Sequence, residues 1–243
     1  MAAALAGCAK SEGYRYKLTL AVNTPDGVKR ASSIGEVVFW RVSIPAKGIA
    51  HKLRGDALYL DLGPGARPLV ALLTHRLSLS YGWSPEAGPD TRLLMELYGE
   101  KPSEAFVNDL SRIAAKRGPR KLDPDKLPDL VTFANVNDPS TVIEVNPNDL
   151  QATLGPGVSW NELTIEVVDD ATTKGIEQKL PWIPYYYCSM LDGHHYRDNR
   201  SLANSLSTAD FEQASDAGAL VRQKQAKNAK LDCWVLTKEW QRR

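Results

Sequence analysis

The sequence predicts an α+β fold, with antiparallel hairpins leading, short helices between them and an irregular helical part at the end. Three observations predict it. Tyr14 to Val42 alternates apolar and polar residues on both sides of a Thr24-Pro25-Asp26-Gly27 turn, the pattern of a half-buried β-hairpin. Residues 91–116 switch to a helical period. Leu130 to Val168 then returns to short apolar runs separated by Asn, Asp, Pro and Gly.

Each element has its own reason. In Tyr14 to Val22 the apolar residues fall at every second position, so one face of a strand is apolar. Pro25 presets φ at the first central turn position, and Gly27 accepts the positive φ that returns the chain. Val28 to Val42 is the partner strand. Asp56 to Leu62 reads as a third strand, and Gly63-Pro64-Gly65 turns it into a fourth at Pro68 to Leu73. Tyr81 to Asp90, with Gly82, Pro85, Gly88 and Pro89, has loop composition.

Thr91 to Tyr98 and Ser103 to Lys116 carry helical spacing; in the second, Ala105, Phe106, Leu110, Ile113 and Ala114 share a face and Gly118-Pro119 stops it. Leu130 to Val136 and Thr141 to Val145 flank an Asn137-Asp138-Pro139-Ser140 turn. Asn148 to Leu154 reads as a short helix capped by Asn148 and ended by Gly155-Pro156. Trp160 to Val168 is a strand. Thr172 to Leu180 reads as a helix, Leu180 to Tyr187 as an extended aromatic stretch, and Ser201 to Leu206 and Thr208 to Gln213 as short helical pieces. Whether residues 14–75 and 129–170 share one sheet is open at this level.

The first eight residues point to location. Leu5-Ala6-Gly7-Cys8 is followed by the polar Ala9-Lys10-Ser11-Glu12-Gly13. The four residues resemble the lipobox of bacterial lipoproteins. The resemblance implies that the Cys8 thiol is joined to diacylglycerol, the chain is cut before it, and the new amino group is acylated, for example by palmitate. Small side chains at Ala6 and Gly7 suit a narrow peptidase groove, and only a thiol gives the thioether. Two or more acyl chains at roughly 0.8 kcal/mol per buried CH₂ make such an anchor stable. The sequence departs from the pattern in having seven uncharged residues before Cys8, where a signal peptide has a basic region and 7–15 apolar residues. An upstream start codon would supply them; an ordinary alanine-rich N-terminus is the alternative.

The wider chain is similar to lipoproteins of alphaproteobacteria with no assigned activity. The similarity covers the Tyr14 hairpin, the block from Asn148 to Val168, and Leu191-Asp192-Gly193 through Ala209-Asp210-Phe211. It implies a protein of the cell envelope, facing the periplasm. Ala9 rather than Asp after the cysteine implies the outer membrane before the inner one. A cytoplasmic binding domain is the alternative. The expected organisation is a lipobox and tether over residues 1–13, an α+β domain over 14–213 with a sub-boundary near 118–128, and a basic tail over 214–243. That tail holds seven Lys or Arg against three acidic residues.

Composition narrows the function classes. Thirty Lys and Arg balance 29 Asp and Glu, so no global field points to nucleic acid, and no nucleic-acid partner is expected. The chain has 43% hydrophobic and 24% charged residues, ordinary globular usage. Of three cysteines, Cys8 is taken by lipid in this reading, leaving Cys188 and Cys233 as a candidate disulfide in an oxidising compartment. Two buried thiols are the alternative.

Catalytic signatures are sparse. There is no G-x-S-x-G, S-x-x-K or H-E-x-x-H. Asp192, His194, His195 and Asp198 are weak metal candidates, because imidazole and carboxylate suit zinc, iron or manganese; an envelope hydrolase using Asp192, His194 or His195 is an alternative function. Adjacent histidines on an extended chain point to opposite faces, however. No metal and no cofactor is therefore expected. Trp182, Tyr185, Tyr186 and Tyr187 are a candidate binding platform, large rigid rings with polar handles; packing across the sheet is the preferred reading. The function expected from all this is a non-enzymatic envelope lipoprotein that binds a protein or glycan.

Overall fold

The computed structural model describes residues 12–41, 49–75, 77, 83–84, 88–186 and 189–213. It is an α+β fold dominated by antiparallel strands. Its centre is β1 (Glu12–Thr24), paired along its whole length with β2 (Gly27–Arg41) and on its other side with β11 (Ser159–Val168). The turn is where Pro25 and Gly27 placed it, with Gly27 at φ 109°. The Thr24 hydroxyl donates to the Gly27 carbonyl at 2.7 Å. Three shorter strands complete this six-stranded sheet: β3 (Ile49–Asp56) outside β2, β12 (Glu212–Gln213) outside β3, and β8 (Arg120–Lys121) outside β11.

Alternation on β1 sets the layers. Tyr14, Tyr16, Leu18 and Leu20 are buried, while Arg15, Lys17 and Thr19 lie on the opposite face. Register places Tyr16 opposite Gly35. A Cβ at Gly35 would come within 2.6 Å of the Tyr16 ring, so glycine there lets the ring lie flat across β2. A shift in the β1–β11 register between Ala21 and Val22 breaks the alternation, as a bulge does. Both residues are buried.

The second sheet runs β10 (Val142–Glu144), β9 (Leu130–Phe133), β5 (Leu69–Ala71), β4 (Leu58–Leu60). Every residue of β5 and β9 is buried, the continuous apolar pattern of strands covered on both faces. β4 packs on β1 and β2. The two stretches 14–75 and 129–170 therefore each contribute to both sheets. A small ribbon pairs β6 (Trp83–Ser84) with β7 (Gly88–Pro89), inside what the sequence suggested was loop.

The helices are α1 (Thr91–Leu97), α2 (Leu110–Ala114), α3 (Gln151–Leu154) and α4 (Leu202–Ser205), among the described residues. α1 matches expectation, with Asp90 capping it through the Leu93 amide at 2.7 Å. The expected helix over 103–116 shortens to a 3₁₀ turn at Phe106–Asn108 followed by α2. The cause is Asp109. Its carboxylate takes the Ser103 amide at 2.8 Å, the Ser103 hydroxyl and Arg112, folding residues 103–109 back on themselves.

Four further expectations change, the first being the helical piece over Thr208 to Gln213, which is a 3₁₀ turn at Thr208–Asp210 followed by β12. Asn148 does not cap α3; its amide donates to Asn146, and the helix starts after Leu150. The helix expected over 172–180 is one 3₁₀ turn at Ile176–Gln178 after left-handed Gly175. There Thr173 pairs with the Ile34 backbone, and the Ile176 amide donates to buried Asp56. Leu180 to Tyr187, expected as extended, contains a 3₁₀ turn at Ile183–Tyr185. Pro184 fits there because the first positions of a turn need no amide donor. β3 went unrecognised in the sequence because only Leu53 and the Gly55-Asp56 end are buried.

Candidate functional site

Trp182 is completely buried, and its indole N–H donates to the Val136 carbonyl at 3.1 Å. It packs against Phe133, Phe211 and Tyr186 at ring-centroid distances of 5.8, 5.3 and 6.2 Å. Tyr186 is buried too, and half-buried Tyr185 leans on the same core. These three side chains are packing, so the structure does not present them as a platform. Tyr187, Cys8, Cys188, Cys233 and the basic tail lie outside the described residues.

The histidine loop is built around buried Asn204. Its Oδ1 accepts the Asp198 and Asn199 amides, and its Nδ2 donates to Asp192 at 2.9 Å. Asp192 in turn holds His194 Nδ1 at 3.0 Å. That is the orientation of a general base, but Arg200 Nη1 lies 3.1 Å from His194 Nε2, the nitrogen that would have to accept a substrate's proton. Arg200 also binds Asp198, whose carboxyl is held below the usual range by that pairing. Among the described residues no group of three His, Cys, Asp or Glu side chains is arranged to hold a metal ion.

A second His–Asp pair escaped sequence reasoning. His75 Nδ1 lies 2.7 Å from Asp129, both side chains being 3% exposed. Asp129 also accepts the Leu77 amide at 2.8 Å. Next to it in sequence, Thr74 donates to buried Asp210 at 2.6 Å, and the Leu73 amide bonds the Asp210 carbonyl. Together they fasten the exit of β5 to the start of β9 and to the turn before β12. Their burial makes them fasteners of the fold.

Two of the hollows that reach the surface lie on the six-stranded sheet beside the start of β1. The larger, about 600 Å³, lies on the outer face of the six-stranded sheet. In its wall, Arg15, Glu36 and Arg54 stand in one rung across β1, β2 and β3. Glu36 accepts from both guanidiniums, at 2.9 and 3.0 Å. Two guanidiniums against one carboxylate leave this rung with a net positive charge, and Arg15 also donates to the Asp169 carbonyl at 3.0 Å. Trp40 forms part of the same wall.

The other hollow, about 550 Å³, opens at the end of the sheet where β1 begins. Its size falls within the roughly 300–1,000 Å³ of small-molecule sites. Phe39 on β2 is its centre, 5.2 Å from Phe106, 6.1 Å from His51 on β3 and 6.4 Å from Tyr14 on β1. Neighbouring rings are tilted by 41–53°, making a concave floor. The hydroxyl of Tyr14 donates to the Pro89 carbonyl at 2.6 Å. Burial, then the neighbouring Tyr16 and Asp90, keep that hydroxyl's pKa well above the ordinary tyrosine value. Tyr14 is thus a fixed donor. Around the rim stand His51, Asp90, Arg92 and Glu104.

Register explains half of this cleft. Glu12 pairs Phe39, Tyr14 pairs Val37, and Phe39 pairs His51, so the rings of three strands converge where the buried alternation runs out. The helical side comes from the Asp109 fold-back, which brings Ser103 to Phe106 over the strand ends. No sequence motif marks these residues, since they come from four separate segments. Neither a family model, nor a curated protein, nor a solved structure matches the chain.

Proposed function

We propose that the protein is a lipid-anchored, non-enzymatic binding protein of the bacterial cell envelope, and that it holds its partner in the cleft around Phe39. The supporting observation is placement. β1 begins at Glu12, four residues after Cys8 in the sequence, and the cleft lies at that end of the sheet. A lipid on Cys8 puts the mouth of the cleft near the membrane surface. No described helix is long and apolar enough to cross a membrane; in this reading the lipid on Cys8 is the anchor. The binding role is supported by the two His–Asp pairs: one is sealed in the core and the other has a guanidinium on its free nitrogen.

The anchor is tested by expressing the gene with its native upstream codons in a bacterium fed radioactive palmitate. The protein labels and sediments with membranes, and Cys8→Ser removes the label, because a hydroxyl cannot form the thioether. Label that survives the change, or soluble protein in both cases, overturns the reading. The fold after Glu12 is unaffected by the substitution, since it alters a residue before the first strand.

A further inference from the structure

The proposed binding role leaves the ligand's chemistry open, and the lining of the cleft narrows it. Phe39 and Phe106 are half-buried and His51 is exposed, so rings reach the cavity without being closed off. An aromatic floor suits a ligand with an apolar C–H face. The rim is of mixed sign: Asp90 and Glu104 against Arg92, with His51 beside them. A strongly charged ligand is matched by a rim of one sign. Hydroxyl groups both donate and accept, so they are served by carboxylates and a guanidinium together. Arg92 and Glu104 are exposed and make no ion pair with another described residue, leaving both planar groups available. The neighbouring polar pair is already spent, because Asp109 is 1% exposed and bound to Ser103 and Arg112.

From this we infer that the cleft is a saccharide site, with the rings of Phe39 and Phe106 under the sugar's C–H face and Glu104 and Arg92 on its hydroxyls. The volume of about 550 Å³ has room for more than one sugar ring, so an oligosaccharide is the expected ligand. The inference rests on the cleft being the binding site and is independent of the anchor.

The test is a titration of the full 243-residue chain, isotope-labelled, with chitotetraose, cellotetraose and maltotetraose, followed by NMR. Saturable shifts at Phe39, His51 and Phe106 with at least one tetrasaccharide are expected. Phe106→Ala should weaken binding about tenfold and Glu104→Gln by about threefold, with the remaining spectrum unchanged. Spermidine, a polycation without a saccharide face, is the discriminating probe. Shifts at these residues with spermidine alone overturn the saccharide class while keeping the cleft as the site. If no probe moves them, the cleft falls as the binding site as well.

Discussion

Two aromatic groups in this molecule have nearly the same internal spacing and opposite fates. Phe133, Trp182, Tyr186 and Phe211 sit 5.3–6.2 Å apart and are at most 2% exposed. Tyr14, Phe39, His51 and Phe106 sit 5.2–6.4 Å apart, and three of the four reach the surface. Ring chemistry does not separate them. Cover does: the first group joins β9 to the side chains of Trp182, Tyr186 and Phe211, while the second lines the hollow at the end of the sheet where β1 begins. Aromatic residues crowded in sequence, as Trp182 and Tyr186 are, fill the core. Those spread over four segments make the open cleft.

The comparison breaks most readily at Trp182. Trp182→Ala should cost about 3–5 kcal/mol of stability in urea or guanidinium unfolding, because it empties the centre of the sealed group. Phe106→Ala, at the open group, should cost under about 1 kcal/mol. Equal losses would erase the distinction. Gly35→Ala comes next. Its Cβ would strike the Tyr16 ring beneath the sheet, and overpacking of that kind costs about 1–3 kcal/mol. A neutral result would mean that Tyr16 does not lie across β2.

The smallest effect is an acid dependence that sharpens the cleft's helical wall. Burial would raise the Asp109 pKa, but hydrogen bonds from Ser103 and Arg112 outweigh it and hold the carboxyl below its ordinary value. A carboxyl depressed in the folded state contributes stability that is fully present above its unfolded value near 4. That contribution is lost as pH falls through the lower folded value. An NMR titration should place the Asp109 midpoint below that of an unfolded aspartate. In Asp109→Asn the acid-induced loss of stability should be correspondingly smaller. A midpoint above the ordinary value would mean that the 103–109 fold-back is not held by this carboxylate.

Most of the sheet was legible because its cause is local. Alternation from Tyr14 to Leu20, the Pro25–Gly27 turn and the run from Trp160 to Val168 are each legible within a few residues. The sheet partition was not legible, since β4 and β5 leave the first sheet only through long-range packing on β9. Helix ends misled where one carboxylate changed the local preference: Asp109 shortened α2, and Asp56 took the Ile176 amide. The candidate site was the least legible part. Asp192, His194, His195 and Asp198 stood out by being close in sequence, and the structure makes Asp192, His194 and Asp198 braces of a loop around Asn204. Phe39, His51 and Phe106 carried no such signal, because what joins them is strand register and a fold-back.

The division between a sealed and an open aromatic group is tested most directly without any substitution. A soluble paramagnetic agent added to the folded protein broadens the ring protons that solvent reaches. The resonances of Phe106, Phe39 and His51 should broaden, while those of Trp182, Phe133 and Phe211 stay sharp. Sharp lines at Phe106 and His51, or broad ones at Trp182, would contradict the account.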